Sequence, residues 1–231
     1  MIRVFGDILN RLVSDNSFTD YFGTVTYDDF LRRARTGDIL LAASKELSAI
    51  PARIYSDEPW THVGLVARIK RTGSEELTVV EFSGHNPSEE IYKVNADVND
   101  RRMVLGDGVG LYDLDDFYTN NSGIYWRPLE GATARDRTRI SETIKLLLTS
   151  NEQKFCSTAE VIAASLFGGC FGGGVLCSTV VAIALHNAGV IQLQKEVSRY
   201  LPCDFASDLG WNLEKPPVKP LYVLGYETRI F

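Results

Sequence analysis

Histidine is scarce in this chain, with three in 231 residues. Any chemistry that needs an imidazole falls on His62, His85 or His186. Cysteine is limited to Cys156, Cys170, Cys177 and Cys203, and no two form a CxxC pair. That spacing argues against a zinc knuckle or a thioredoxin-type redox site. Basic residues are outnumbered, 24 Lys and Arg against 30 Asp and Glu, for a net charge of -6. A deficit of cations disfavours broad phosphate-backbone binding, so nucleic acid is not expected as a partner, and it disfavours electrostatic docking on anionic lipid. No apolar run approaches the length of a membrane span. The opening MIRVFGDILNRL is interrupted by Asp7 and Arg11 and does not read as a signal peptide. Reduced thiols and a cytoplasmic location are the expectation, although an even cysteine count would permit disulfides in an oxidising compartment. Internal repeats, low-complexity tracts and convincing linkers are all missing.

What is present is an ordinary globular composition, 45% hydrophobic and 23% charged. Phe5, Ile8, Leu9, Leu12 and Val13 mark one face of a short helix. Its polar side balances Arg3 and Arg11 against Asp7 and Asp15, which favours packing on the domain and leaves peripheral membrane contact as the lesser alternative. Thr26 to Ala34 reads as a second helix, capped by Thr26 and ended by Gly37. Ile39 to Ala43 is a short apolar strand. Residues 47–60, with Pro51 and Pro59, read as irregular.

His62 to Ile69 and Leu77 to Phe82 read as a hairpin. Residues 83–121 are polar and glycine-bearing and read mostly as loop. Ile124 to Trp126 is a strand. A helix of about 15 residues carries Ile140, Ile144, Leu147 and Leu148. Ala159 to Leu166 and Ser178 to Ala188 read as helices, and Leu221 to Phe231 has strand character. The economical reading is a single α+β domain over 1–231, with an antiparallel sheet or barrel packed against helices, an N-terminal helical extension over 1–36 and an insertion over 150–176.

Cys177 follows Gly172, Gly173 and Gly174 and opens a helix that ends at Gly189. The positive end of the helix dipole and its amide donors favour a thiolate, and the same donors can hold an oxyanion. The commoner fate of a cysteine is burial in a core, so the position is suggestive rather than decisive. His62 heads an apolar strand in Trp60-Thr61-His62-Val63-Gly64. His186 lies nine residues beyond Cys177 on the same helix, about 13 Å along the axis, too far for direct proton transfer. His62 is the best base by elimination, with His85, in a polar turn, second.

Glu81 could orient the imidazole. Facing residues of an antiparallel hairpin have a constant index sum. A sum of 143 sets Glu81 opposite His62, and a sum of 145 makes it a diagonal neighbour on the same face; a one-residue bulge would separate them. Cys156, in Phe155-Cys156-Ser157-Thr158, is the rival nucleophile, but Glu160 on its first turn would oppose a thiolate.

Taken in order, several blocks resemble the circularly permuted NlpC/P60 proteins of the papain-like superfamily. They are Gly37-Asp38-Ile39-Leu40-Leu41, Trp60-Thr61-His62-Val63-Gly64-Leu65-Val66, Val79-Val80-Glu81-Phe82, Tyr125-Trp126-Arg127-Pro128-Leu129, Cys177-Ser178-Thr179-Val180-Val181 with Ala188-Gly189-Val190, and Leu201-Pro202-Cys203-Asp204-Phe205. Permutation puts histidine before cysteine, here by 115 residues (177 minus 62). The resemblance implies Cys177 as nucleophile, His62 as base and Glu81 as the third polar residue. It implies a hydrolase or acyltransferase acting on an amide or ester through a thioester, on an acyl-lipid or peptide substrate, with no metal and no organic cofactor.

The lecithin–retinol acyltransferase group usually carries Asn-Cys-Glu-His at the nucleophile. Leu176-Cys177-Ser178-Thr179 is nearer the YiiX-like and poxvirus-type branch. For a viral protein the expected location would be host cytoplasm or virion. The sequence departs from that branch's common Cys-Ser-Glu, with Thr179 in place of the acid. An inactive papain-like domain serving as a lipid- or protein-binding module is the alternative. The insertion is rich in small and apolar residues, which suits the lining of an acyl-chain groove or a simple cover for the core.

Overall fold

The structure is a computed structural model and describes residues 23–42, 60–71, 74–83, 108–120, 123–149, 176–206, 218–220 and 228–230. The expected helices over 5–13 and 159–166, and most of the insertion over 150–176, lie outside the described residues.

β1 (Gly23–Val25) is followed by α1 (Tyr27–Arg33). Thr26 caps α1, its hydroxyl accepting from the Asp29 N–H at 3.2 Å. Asp28 and Asp29 in the first turn and Arg32 and Arg33 in the last complement the helix dipole. The helix ends with Ala34 as its C-cap, the bound expected from the residues, and Gly37 lies three residues beyond. Arg68 replaces a glycine cap, its guanidinium donating to the carbonyls of Ala34 (2.7 Å) and Leu31. Gly37 belongs instead to the turn that feeds the next strand, at φ +95, where a Cβ would lie 2.5 Å from Ile140 Cδ1.

β2 (Ile39–Ala42) runs antiparallel between β3 (His62–Arg71) and β6 (Ile124–Arg127). All four β2 side chains are buried, so both of its faces are covered, and an uninterrupted apolar run is what such a strand needs. β3 pairs with β4 (Ser74–Ser83) from Leu65 opposite Val80 to Arg71 opposite Ser74, an index sum of 145. β5 (Gly108–Asp113) and α2 (Leu114–Asn120) occupy part of the segment read as loop. α3 (Ala134–Thr149) and α4 (Cys177–Asn187) follow, then β7 (Ile191–Leu193), two 3-10 turns, β8 (Val218–Pro220) and β9 (Thr228–Ile230). The main sheet has the order β1-β9-β6-β2-β3-β4-β5 and is antiparallel except for the β1–β9 pair; β7 and β8 form a separate two-stranded sheet. Among the described residues no helix is long and apolar enough to cross a membrane.

The sheet is the middle of three layers. Ile39, Leu41, Val63, Leu65, Val80 and Tyr125 join Ile140 and Ile144 of α3 and Val180, Val181, Ala184 and Leu185 of α4 in one cluster. Leu40, Ala42, Val66, Val79, Ile124 and Trp126 join Phe30 of α1 and Leu114 and Phe117 of α2 in another. Odd and even strand positions divide between the clusters as the pleat requires.

Asp38 ties the layers together. Its side chain, 2% exposed, accepts from the Arg35 N–H (2.9 Å), the Trp126 indole (3.0 Å) and the Leu129 N–H (3.0 Å), and pairs with Arg137 at 3.2 Å. Arg137 also donates to the carbonyls of Thr36 (2.6 Å) and Leu129 (2.9 Å). Removing one member of a buried, hydrogen-bonded ion pair strands the other. Asp38→Ala is therefore expected to lower unfolding free energy by about 3–5 kcal/mol, read as a shifted urea midpoint with an unchanged slope. Arg137, 22% exposed, should cost less when replaced by Met, because Asp38 keeps its three N–H donors. Equal losses from the two changes would contradict the central role given to the carboxylate.

Candidate active site

Cys177 is the first residue of α4 and its side chain is buried, 9% exposed, within the cluster on the α3/α4 face. Leu176 precedes it in extended backbone (φ -99, ψ 161) and offers no side-chain acceptor of its own. Thr179 reaches back, its Oγ1 accepting from the Leu176 N–H at 3.2 Å. The Thr179 N–H bonds the Leu176 carbonyl at 3.0 Å. The first turn of α4 contains no acidic residue. A thiol there sits at the positive end of an 11-residue helix with amide donors beside it.

Ser178 fixes the turn from below. Its buried hydroxyl donates to the Tyr200 carbonyl at 2.5 Å. Tyr200 is fully buried, and its phenol oxygen accepts from the Gln194 N–H at 2.8 Å. Lys195 lies over the Tyr200 ring at 5.0 Å and pairs with Asp204 at 2.6 Å. Asp204 also accepts from the Leu201 N–H at 2.7 Å. Burial pushes the Asp204 carboxyl up, against the lowering by Lys195 and Leu201. The start of α4 is thus tied to Tyr200, and Tyr200 to Gln194 and Lys195. Cys203 is half-buried.

His62 is the first residue of β3 and pairs with Ala42 of β2. Its ring lies 5.7 Å from the Phe117 ring at 33°. Ala42 and Phe117 both belong to the cluster on the α1/α2 face. The described contacts therefore place the Cys177 side chain and the His62 ring in different layers. Glu81 pairs by backbone with Gly110. Extending the β3–β4 register by one pair sets it opposite Gly64, at the same strand parity as His62. The Glu81 side chain, His85, Cys156 and Cys170 lie outside the described residues.

His186 sits near the C-terminal end of α4, its Nδ1 3.2 Å from the Ile191 carbonyl. Among the described residues no group of three or more His, Cys, Asp or Glu could hold a metal ion.

Two features of the site carry little sequence signal. The Ser178–Tyr200 bond joins residues 22 apart through a backbone carbonyl, which no side-chain pattern announces. The role of Phe117 depends on a helix hidden in a polar segment. Gly64 leaves room for that ring, since a Cβ there would lie 3.3 Å from Phe117 and 2.5 Å from Val79.

Phe117→Ala should remove the ring current felt by His62 and move its ring-proton resonances downfield, at a stability cost of about 3–4 kcal/mol for a fully buried phenylalanine. Unmoved His62 resonances in a folded variant would show that the two rings are not in contact in solution.

No protein-family model and no curated protein matches the chain. Among solved structures it is similar to the metalloprotein yiiX from Escherichia coli O157:H7, with a TM-score of 0.41 and 16% sequence identity, over 83% of this chain and 88% of that one.

Proposed function

We propose that the chain is a cysteine hydrolase or acyltransferase of the permuted papain-like type, with Cys177 as its nucleophile. The observation that carries the proposal is the setting of Cys177, first in an acid-free helix turn whose own cap is supplied by a neutral hydroxyl. Thiolate formation needs stabilising positive potential and a proton acceptor. The helix terminus supplies the first and His62 the second.

In the proposed reaction His62 takes the Cys177 proton and the thiolate attacks an amide or ester carbonyl. Helix-terminal amides hold the oxyanion. The carbon–nitrogen or carbon–oxygen bond breaks, and the leaving group takes the proton from His62. A thioester remains, which water or an amine resolves. Glu81 would orient the imidazole from β4. The scheme draws on no metal or organic cofactor. The acyl donor is an acyl lipid or a peptide, with the lipid favoured by the composition of residues 161–176. A cytoplasmic setting suits a reduced thiol.

The second reading, a papain-like module that binds lipid or protein without catalysis, is favoured by the separate layers of Cys177 and His62. For catalysis the imidazole must meet the thiol around the end of β3, where His62 is the first residue.

Alkylation separates the readings. Iodoacetamide at neutral pH should label Cys177 fastest in the wild type. Cys177→Ala should abolish fast labelling, Cys156→Ala should leave it, and His62→Ala should slow it and reduce turnover by about 10²–10⁴-fold. Lipid-ester and cell-wall-type peptide substrates, each run with Cys177→Ala as control, would identify the acyl donor. Fast labelling at Cys156, or slow labelling at Cys177 that His62→Ala does not alter, would reject the catalytic assignment.

A further inference from the structure

We infer that Thr179 is a positioning residue for Cys177, one that closes the start of α4 without placing a negative charge beside the thiol. The inference rests on the catalytic reading for its purpose, but its physical content can be measured independently of turnover.

The start of α4 presents an electrostatic problem. A helix leaves its first N–H groups without intrahelical partners, and a Ser, Thr, Asp or Asn at the N-cap normally answers one of them. Leu176 stands at that position and has no polar side-chain atom. The residue three places into such a helix commonly reaches back to the N-cap amide, and Glu or Gln is the usual choice. Thr179 makes that contact with a hydroxyl, at 3.2 Å and in a buried setting. Its side chain is 4% exposed.

A glutamate at 179 could make the same bond. It would also bring a carboxylate, poorly screened by solvent, within one turn of Cys177, where like charge opposes the thiolate. The threonine hydroxyl closes the turn and leaves the helix dipole uncancelled. The Leu176 N–H is thus bonded to Thr179 Oγ1, and the Thr179 N–H to the Leu176 carbonyl. Ser178 meanwhile anchors the same turn through Tyr200. The departure from an acid at this position thus has a physical consequence at the neighbouring sulfur.

The test measures the Cys177 thiol directly. Thiolate absorbance and iodoacetamide rate are followed against pH in the wild type and in Thr179→Ser, Thr179→Val, Thr179→Gln and Thr179→Glu. Thermal unfolding is recorded alongside. Thr179→Ser should titrate like the wild type. Thr179→Gln keeps the hydrogen bond without charge and should stay close to it. Thr179→Glu should move the apparent thiol titration upward and slow alkylation near neutral pH by about 10-fold, the effect of roughly one pKa step. Thr179→Val removes the acceptor and should also move the titration upward.

Glu and Gln variants with the same titration curve would overturn the inference, because charge beside the thiol would then not matter. Should both fail to fold, Val against Ser decides it, and identical titrations there overturn it equally. A wild type without turnover whose titration still responds to Thr179→Glu would keep the inference and reject the catalytic reading. Loss of melting temperature across the series with no change in titration would mark Thr179 as a purely structural cap.

Discussion

The Asp38 carboxylate is the constraint on which the arrangement depends. It lies in the turn between α1 and β2 and reaches three parts of the chain, namely the backbone of its own turn, the β6 strand with Leu129 just beyond it, and α3 through Arg137. A buried carboxylate is costly unless its oxygens are bonded, and here each oxygen accepts twice. That requirement makes the geometry discriminating. The turn, the indole of Trp126 and the start of α3 must all be in place at once for the carboxylate to be satisfied. Trp126 in turn packs edge-on against Phe30 at 5.7 Å and takes Arg33 over its ring at 5.2 Å, so the same indole links the carboxylate to the α1 layer.

The position of β2 follows from that fixture, and the candidate site follows from β2. Because β2 pairs with both β3 and β6 and is buried on both faces, its register cannot slip by one residue without exchanging the two cores. Ile39 and Leu41 face α3 and α4, and Leu40 and Ala42 face the opposite layer. The side on which each β3 residue stands is therefore decided by pairing with β2. The start of α4 is fixed separately, by Ser178 on the carbonyl of Tyr200, whose ring Lys195 covers. Two independent anchors thus set the positions of Cys177 and His62.

Some of this was legible in the residues. The apolar run at 39–43 read as a short strand, which the structure places at 39–42, and the hairpin arithmetic offered two registers, of which the sum of 145 is the one present. Thr26 and the spacing of Ile140, Ile144 and Leu147 located two helices whose local chemistry is strong. β5 and α2 were not legible, because Gly108 and Gly110 weaken the strand signal. Leu114 and Phe117 give α2 only one apolar pair at helical spacing, too short a run for periodicity to register. With them went the second covering layer, and so the face on which His62 stands. The bound at Ala34 was legible, but the groups that close α1 were not. The carbonyls at its end are taken by Arg35 and by Arg68, the latter two strands away in sequence, which local chemistry cannot foresee.

The strand end itself is irregular in a way that bears on the chemistry. Trp60 and His62 are two residues apart and would share a face if β3 continued through both. Instead Trp60 packs with Tyr125 at 5.0 Å in the α3/α4 cluster, whereas His62 packs on Phe117 in the other. The chain changes face at Thr61, whose N–H and hydroxyl both donate to the Ala42 carbonyl, at 2.9 and 3.2 Å. That doubly used carbonyl holds the crossing point in place. His62 is consequently the first residue after a change of side, paired with Ala42 of β2. Cys177, first in its helix, stands at an element end as well. A cysteine–histidine pair drawn from two packed layers would need both groups at element ends, since a residue in mid-element cannot leave its face without opening the core.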